Sequence, residues 1–199
     1  MATVIYSMSM SLDGYVNGPD GAFDWSVPDA ELHQFHNDRV REQDVQLCGR
    51  RLYELMRYWE DPDEGWGPVE HEFAELWQAL PKVVFSRTLT AADLGPNARL
   101  ATASASEELE AIGAGVVGVG GATLAGALAH EDLIDEYDLF VCPVIVGGGT
   151  PYFAPGVAQT ALKLVEQRAF AGRRDAPALP AVARRATVRS AVAAVSARS

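Results

Sequence analysis

Basic residues, long apolar stretches and signal-like segments are scarce in this 199-residue sequence. Its 16 Lys and Arg residues are outnumbered by 27 Asp and Glu residues, which gives a formal net charge of −11. So acidic a protein repels polyanions, and we expect neither nucleic acid nor membrane as a partner. No apolar run approaches the roughly 18 residues of a membrane span. The first residues lack the basic flank and apolar core of a signal peptide, so we expect a cytoplasmic protein.

Cysteines and the common catalytic motifs are also scarce. The two cysteines, Cys48 and Cys142, lie in apolar, strand-like segments, which indicates burial. Two isolated cysteines do not form the usual zinc site, and the pair His33 and His36 has no third ligand in view, so no metal is expected. The sequence lacks the serine-hydrolase elbow, the Walker lysine and the zinc-deaminase motifs. These absences exclude the most common hydrolase, P-loop and deaminase classes.

Apolar strand-like segments alternate with helical segments along residues 1–172. This alternation predicts an α/β three-layer sandwich with a mostly parallel central sheet. The segment TALKLVEQRAF predicts a last strand, as one arm of a C-terminal antiparallel hairpin. Residues 173–199 differ, because they contain six arginines, one acidic residue and no aromatic residue. We predict one domain over 1–172 followed by a low-complexity Ala/Arg tail over 173–199.

The stretch GVVGVGGATLAG runs from a buried strand through Gly120 and Gly121 into a helix. Backbone N–H groups and the helix dipole favour an anion at such a turn. The pattern is not the dinucleotide-binding fingerprint, because Thr123 stands where the third glycine belongs. The turn by itself is therefore either a phosphate site or a plain connection.

Arginine follows two further predicted strands, in Cys48-Gly49-Arg50-Arg51 and in Phe85-Ser86-Arg87-Thr88. The carboxyl ends of parallel strands gather at one edge of a sheet, where ligands bind. Arginine can hold a phosphate there through paired N–H donors, although each arginine could equally be an exposed surface residue. The three glycines at 147–149 close the longest predicted strand and indicate either close approach of the backbone or a wide turn.

Five segments of the chain carry a family pattern as a set. They are SLDGY at 11–15, GRRLYE at 49–54, VVFSRTL at 83–89, GGATL at 120–124 and PVIVGGG at 143–149. The set resembles the dihydrofolate reductase-like superfamily, specifically relatives of the C-terminal reductase domain of the riboflavin-biosynthesis deaminase-reductase. The resemblance covers roughly residues 3–172. Because these 199 residues contain no deaminase motif, we do not expect the bifunctional enzyme.

The resemblance implies a dihydrofolate reductase-like fold and NADPH as cofactor. It assigns Gly49 and Arg50 to the side of the cofactor and Ser86 and Arg87 to its adenosine 2′-phosphate. It assigns Gly120, Gly121 and Ala122 to the pyrophosphate, and the cofactor-binding set also includes Thr88 and Thr123. Relatives of this fold often hold the glycine–glycine bond cis, so a cis bond is expected between Gly120 and Gly121.

The resemblance implies two candidate catalytic carboxylates. Asp13 would lie near the nicotinamide and the substrate. Glu31 stands four residues before Phe35, at the spacing of the pterin-binding carboxylate of dihydrofolate reductases. Glu31 could equally be a solvent-exposed helix glutamate.

These observations predict an NADPH-dependent reductase of a small heterocyclic substrate. The substrate would be that of a 5-amino-6-(5-phosphoribosylamino)uracil reductase or that of a dihydrofolate reductase. The alternative is a non-catalytic module that binds a nucleotide through a reductase-like fold. The expected partner is a small-molecule substrate, and the assembly to be tested is a homodimer.

Overall fold

The computed structural model describes residues 1–170 and the backbone of residues 191–196. The strands are β1 (Thr3–Ser11), β2 (Val45–Gly49), β3 (Lys82–Phe85), β4 (Ala98–Leu100), β5 (Val116–Gly120), β6 (Glu136–Cys142), β7 (Lys163–Arg168) and β8 (Ala191–Ser196). The α-helices are α1 (Ala30–Arg41), α2 (Arg50–Met56), α3 (Pro68–Ala79), α4 (Ala105–Ile112) and α5 (Ala122–His130). Three short 3₁₀ helices cover Asp24–Ser26, Arg57–Glu60 and Ala91–Asp93.

The central sheet has the order β4-β3-β2-β5-β1-β6, and all its neighbouring strands are parallel. Helices connect these strands, so the predicted α/β class and the mostly parallel sheet are confirmed. The strands β2 and β5 are buried along most of their length, as expected for strands covered on both faces. Within the described part of the chain, no helix combines the length and apolar character needed to cross a membrane.

The sheet continues beyond β6 with two antiparallel strands. The backbone of β8 pairs with β6 on one side and with β7 on the other. The residues that connect β7 to β8 (171–190) lie outside the described part of the chain, as do 197–199. The C-terminal hairpin therefore stays a prediction. The domain boundary at 172 is also untested, since β8 falls inside the predicted tail and the remainder of 173–199 is not described.

Local signals explain where the helices begin. Asp29 caps α1, because its side chain accepts a hydrogen bond from the N–H of Leu32. A capping box begins α4, where Ser104 and Glu107 bond to each other's backbone N–H groups. Both helices therefore begin at residues that the sequence itself marks.

Tyr152 ties the segment after β6 to the centre of the sheet. Its side chain is buried, and its hydroxyl lies 3.0 Å from the carbonyl oxygen of Tyr6 and 3.1 Å from that of Asp138. Its ring packs on the ring of Tyr6 at a centroid distance of 4.3 Å. The chain after β6 is thereby anchored to both β1 and β6.

A buried carboxylate fastens the connection between β4 and α4. Glu108 is almost fully buried, accepts from both terminal nitrogens of Arg99 (3.2 and 2.5 Å), and also accepts from the N–H of Thr102. The hydrogen bonds from Arg99 lower the pKa of Glu108 from its usual 4.5 to about 2, although burial opposes them. Its contribution to stability is complete above pH 4.5 and is lost as the pH falls towards 2.

We expect Glu108→Gln to lower the free energy of unfolding near neutral pH by about 2–3 kcal/mol, because Arg99 loses its charged partner. The difference from wild type should shrink as the pH falls from 4.5 towards 2. Urea unfolding across this pH range measures it. The matched control is Glu110→Gln, at an exposed position of the same helix, which should change stability by less than about 0.5 kcal/mol. A stability difference between Glu108→Gln and wild type that does not change with pH would contradict the low pKa of Glu108.

Candidate functional site

The carboxyl ends of the parallel strands lie along one edge of the sheet, which we call the carboxyl edge. Because β5 lies between β2 and β1, the chain that follows each of these strands emerges at neighbouring positions. The edge therefore brings together Gly49 after β2, the segment 86–88 after β3, the segment 120–123 after β5, and Asp13 after β1. Most of the residues predicted from the sequence thus share one region.

Three glycines stand at the neighbouring ends of β2 and β5. A Cβ atom on Gly121 would lie 3.6 Å from the backbone of Gly49, which is an ordinary contact, and one on Gly120 would overlap the end of the Leu52 side chain. Gly121 has φ 101°, a conformation that side chains of L residues rarely adopt. We call this group, Gly49, Gly120 and Gly121, the glycine cradle.

The start of α5 follows the glycine cradle directly. Ala122 is buried at the first helical position, and the side chain of Thr123 is exposed at the second. The bond between Gly120 and Gly121 is trans, so the expected cis bond is wrong. The positive φ of Gly121 already turns the chain from β5 into α5, and the turn needs no other isomer.

Ser86 shapes the turn after β3. Its hydroxyl accepts from the N–H of Thr88 at 3.1 Å and from the N–H of Leu89 at 2.9 Å. The side chain of Ser86 therefore closes the turn, while Arg87 is exposed at its tip. The turn presents Arg87 and the hydroxyl of Thr88 to solvent.

Two arginines at the carboxyl edge differ from the other arginines. Among the residues with described side chains, Arg51 and Arg87 have neither a hydrogen bond nor an ion pair. Each of the others has a carboxylate partner; these are Arg39, Arg41, Arg50, Arg57, Arg99 and Arg168. A free arginine is unexpected in a protein of net charge −11. Arg51 and Arg87 are therefore candidates for holding an anion that is not part of the chain.

The family resemblance implies Arg50, rather than Arg51, at the side of the cofactor. Arg50 donates to both carboxylate oxygens of Glu54 at 3.0 Å. Glu54 stands four residues after Arg50, and this spacing places the two side chains together on a helix. That signal was readable from the sequence and favours Arg51 as the free cation.

Asp13 binds the loop that follows β6. Its two carboxylate oxygens accept from the N–H of Val146 at 3.1 Å and from the N–H of Gly147 at 2.8 Å. Desolvation acts to raise the pKa of Asp13, but the hydrogen bonds from Ser11 and from these N–H groups outweigh it, and the pKa lies below its usual value. Asp13 is thus an anion at neutral pH and an anchor for residues 143–149.

The loops after β1 and β6 also touch through their backbones. A Cβ atom on Gly149 would overlap the carbonyl group of Asn17, and Gly149 has φ 126°. The side chain of Asn17 accepts from the N–H of Thr150 at 3.0 Å. The predicted close approach at 147–149 is therefore made by the protein's own chain.

Glu31 lies on the first turn of α1 and pairs with Arg168 of β7 at 2.8 Å. Its side chain is about half exposed. Its partner, Arg168, thus lies on β7 and not at the ends of β1, β2, β3 or β5. No hydrogen bond or ion pair connects Glu31 to Asp13 in the described part of the chain.

Exposed apolar side chains follow the ends of two strands at this edge, with Leu12 directly after β1 and Ile145 in the loop after β6. In the chain they stand next to Asp13 and to Val146, whose N–H Asp13 accepts. A separate depression of about 320 Å³ lies at the opposite edge, against the first residues of β2, β3 and β4, and is remote from these groups.

The carboxyl edge of this α/β fold thus carries two unpaired arginines beside glycine-rich strand ends. The family model of the RibD C-terminal domain matches residues 2–173, and the chain belongs to this family. The resemblance predicted from the five sequence segments is confirmed.

Two similar proteins come from Bacillus subtilis (strain 168). The uncharacterized protein YyaP is 30% identical over 175 residues, which cover 84% of this chain and 88% of YyaP. The uncharacterized protein YwjB is 28% identical over 169 residues, which cover 84% of this chain and 91% of YwjB. A solved structure from Shewanella sp. PV-4, named provisionally as a riboflavin biosynthesis protein, matches over 100% of both chains. Its TM-score of 0.66 at 19% identity shows the same fold.

We expect Asp13→Asn to speed amide hydrogen exchange at Val146 and Gly147 by about 10- to 100-fold. The asparagine keeps one acceptor oxygen and loses the charge, and a charge-assisted hydrogen bond is worth about 1.5–3 kcal/mol. Residue-resolved exchange by NMR measures this change. Asp24→Asn, at an exposed aspartate of the 3₁₀ helix Asp24–Ser26, is the control and should leave these amides unchanged. Equal exchange in wild type and Asp13→Asn would remove Asp13 as the loop anchor.

Proposed function

We propose that the protein is an NADPH-dependent reductase of a small heterocyclic substrate. The observation that carries the proposal is the pair of free arginines, Arg51 and Arg87, beside a glycine cradle at the carboxyl edge. Membership of a reductase-domain family supports the same conclusion. An acidic protein that binds a phosphate-rich cofactor needs local cations, and these two residues supply them.

The residues at the edge fit the phosphate groups of NADPH. The glycine cradle, with Ala122 and Thr123, would hold the pyrophosphate, because the absence of side chains leaves backbone N–H groups accessible at the start of α5. Arg87, with Thr88 and the nearby Arg51, would hold the 2′-phosphate through charge-assisted hydrogen bonds. The hydroxyl of Ser86 accepts from two backbone N–H groups, so its proposed part is to shape the turn.

In the proposed mechanism the bound cofactor supplies the hydride, and the protein orients the substrate and excludes water. Asp13 holds residues 143–149 in place, and its charge can orient an N–H group of a ring or a water molecule. The apolar side chains of Leu12 and Ile145 would cover the ring and keep bulk water away. Asp13 is ionised at neutral pH, so solvent is the proposed source of the proton.

A second candidate function is a nucleotide-binding module without turnover. The observation that favours it is the engagement of both candidate catalytic carboxylates. Asp13 accepts from two backbone N–H groups, and Glu31 pairs with Arg168. Neither residue is thus a free acid at the described edge.

Oxidation of NADPH, followed by its absorbance against a panel of pterins and aminopyrimidines, tests the proposal. We expect turnover with at least one ring compound. Asp13→Asn should lower kcat by about 10²-fold while the Kd of NADPH stays nearly constant, because residues 143–149 lose their anchor and a misplacement of about 1 Å at the ring end of the site can cost about 10²-fold. Glu31→Gln is measured in the same assay, because Glu31 is the other candidate catalytic carboxylate. Tight NADPH binding without turnover on the whole panel would favour the non-catalytic module.

We also expect the wild type to prefer NADPH over NADH, because Arg87 would bind the extra phosphate. One charge-assisted hydrogen bond corresponds to roughly 10- to 150-fold in affinity. Arg87→Ala should weaken NADPH binding by about this factor and leave NADH binding unchanged. Calorimetric titration at low salt measures both cofactors, and added salt should narrow the gap.

The control for this prediction is Arg41→Ala. It removes the same charge, but Arg41 lies in the last turn of α1 and is paired with Asp38 and Glu72. It should alter the two affinities by less than about twofold. Equal affinity of the wild type for NADPH and NADH would refute the assignment of Arg87.

A further inference from the structure

The two arginines without a partner in the described part of the chain lie on separate segments. Arg51 is on α2, and Arg87 is in the turn after β3. Two such cations can bind one phosphate group together only if their segments keep a fixed separation, because the donor groups of arginine have a rigid planar geometry. The contacts between α2 and the chain after β3 therefore affect what this edge can bind.

Tyr53 connects these two segments. Its side chain is fully buried on α2, and its hydroxyl accepts a hydrogen bond from the backbone N–H of Gly95 at 2.7 Å. Gly95 lies between the turn of Arg87 and β4. Because Arg51 is exposed and Tyr53 is buried two positions later, these side chains leave α2 on opposite sides. The hydroxyl of Tyr53 thus ties the buried side of α2 to the chain that follows β3.

Glu60 completes the arrangement around this hydroxyl. Tyr53 donates to the Oε1 atom of Glu60 at 3.4 Å, and Arg57 pairs with the same carboxylate at 3.3 Å. A Cβ atom on Gly95 would overlap the carboxylate, so the glycine leaves the space that Glu60 occupies. The hydroxyl of Tyr53 accepts one hydrogen bond and donates another, which fixes its direction. We call Tyr53, Glu60 and Gly95 the tyrosine clamp.

Local hydrogen bonds order the chain between Arg87 and Gly95. The hydroxyl of Ser86 closes the turn at its start. Thr90 and Asp93 form a capping box at the short 3₁₀ helix that follows, with the N–H of Thr90 2.7 Å from the carboxylate of Asp93. A displacement of Gly95 would therefore also displace Arg87.

The ring of Tyr53 packs against the same part of the chain. It lies in a buried apolar cluster with Cys48 of β2 and Val84 of β3, and Leu89 and Leu94 pack against this cluster. The substitution Tyr53→Phe keeps the ring and removes the hydroxyl. This variant therefore separates the hydrogen bonds of the clamp from the apolar packing.

We propose that Tyr53 is a positioning residue for the recognition of a 2′-phosphate group. This inference rests on the proposed function, in which Arg87 and the nearby Arg51 hold that group. The hydroxyl of Tyr53 keeps α2 and the chain after β3 at the separation that lets both guanidinium groups reach one phosphate. Because Tyr53 is buried, its effect on the cofactor passes through the two arginines.

Calorimetric titration of Tyr53→Phe with NADPH and with NADH tests the inference. Loss of one neutral hydrogen bond corresponds to about 3- to 10-fold in affinity, and we expect NADPH binding to weaken by this factor. NADH lacks the 2′-phosphate, so its affinity should change by less than about twofold. A purely structural role of the hydroxyl would weaken both cofactors equally. Equal weakening, or full retention of the wild-type preference for NADPH, would overturn the inference.

The matched control is Tyr58→Phe. It removes another aromatic hydroxyl from the segment after α2, where Tyr58 accepts from the indole N–H of Trp66 at 2.7 Å. This hydrogen bond lies within residues 57–66 and not between α2 and the chain after β3. We expect both cofactor affinities to stay within about twofold of wild type. A loss of NADPH preference as large as that in Tyr53→Phe would count against the proposal.

A double-variant cycle tests whether the effect passes through Arg87. In the background of Arg87→Ala, Tyr53→Phe should change the Kd of NADPH by less than about twofold, because one cation remains and the separation no longer matters. An effect of Tyr53→Phe that simply adds to that of Arg87→Ala would contradict the positioning role.

Gly95→Ala alters the clamp without changing Tyr53, and it is the variant to use where Tyr53→Phe does not fold. Its Cβ atom would push the carboxylate of Glu60 away from the hydroxyl. We expect the same selective loss of NADPH affinity, by about 3- to 10-fold. A folded Gly95→Ala protein that keeps the wild-type preference for NADPH would refute the inference.

Hydrogen exchange in the cofactor-free protein separates this inference from the proposed function. The amide of Gly95 should exchange about 3- to 10-fold faster in Tyr53→Phe, since it loses its acceptor, and at the wild-type rate in Tyr58→Phe. An unchanged rate in Tyr53→Phe would refute the clamp itself, whatever the protein binds. Equal affinity of the wild type for NADPH and NADH would instead refute the assignment of Arg87 and, with it, the positioning role of Tyr53.

Discussion

The parallel alignment of the six central strands is the constraint on which the rest of this structure depends. Parallel pairing directs every strand end to the same edge, so residues far apart in the chain become neighbours. Asp13 and Gly147 are 134 positions apart and share a hydrogen bond. The glycine cradle likewise joins the end of β2 to the end of β5. Without this alignment, the arginines, glycines and carboxylates of the site would have no common location.

Ion pairing then separates the described arginines into two groups. The acidic composition supplies carboxylate partners for most described arginines, and an ion pair fixes each of these side chains in a local role. Among the described residues, Arg51 and Arg87 lack such partners, which leaves their charge available to a ligand.

Contacts to the backbone hold together the loops that follow β1 and β6. Gly149 lies against the carbonyl of Asn17, Asp13 holds two N–H groups, and Tyr152 ties the same segment to β1 and β6. These contacts join loops that would otherwise be independent. A site held this way keeps its shape before any ligand arrives, which lowers the entropic cost of binding.

The sequence by itself determined the parallel α/β class, the family, the helix caps at Asp29 and Ser104, and the division of charge along the chain. These features depend on local periodicity, local hydrogen bonds and composition, so they can be read without the strand order. The tertiary structure alone decided that Glu31 pairs with Arg168, that Asp13 binds the loop after β6, and that Gly121 turns the chain with a trans bond. The physical reason is that these contacts require the order β2-β5-β1-β6 and its neighbours. That order is set by the packing of the whole chain, and no short segment encodes it.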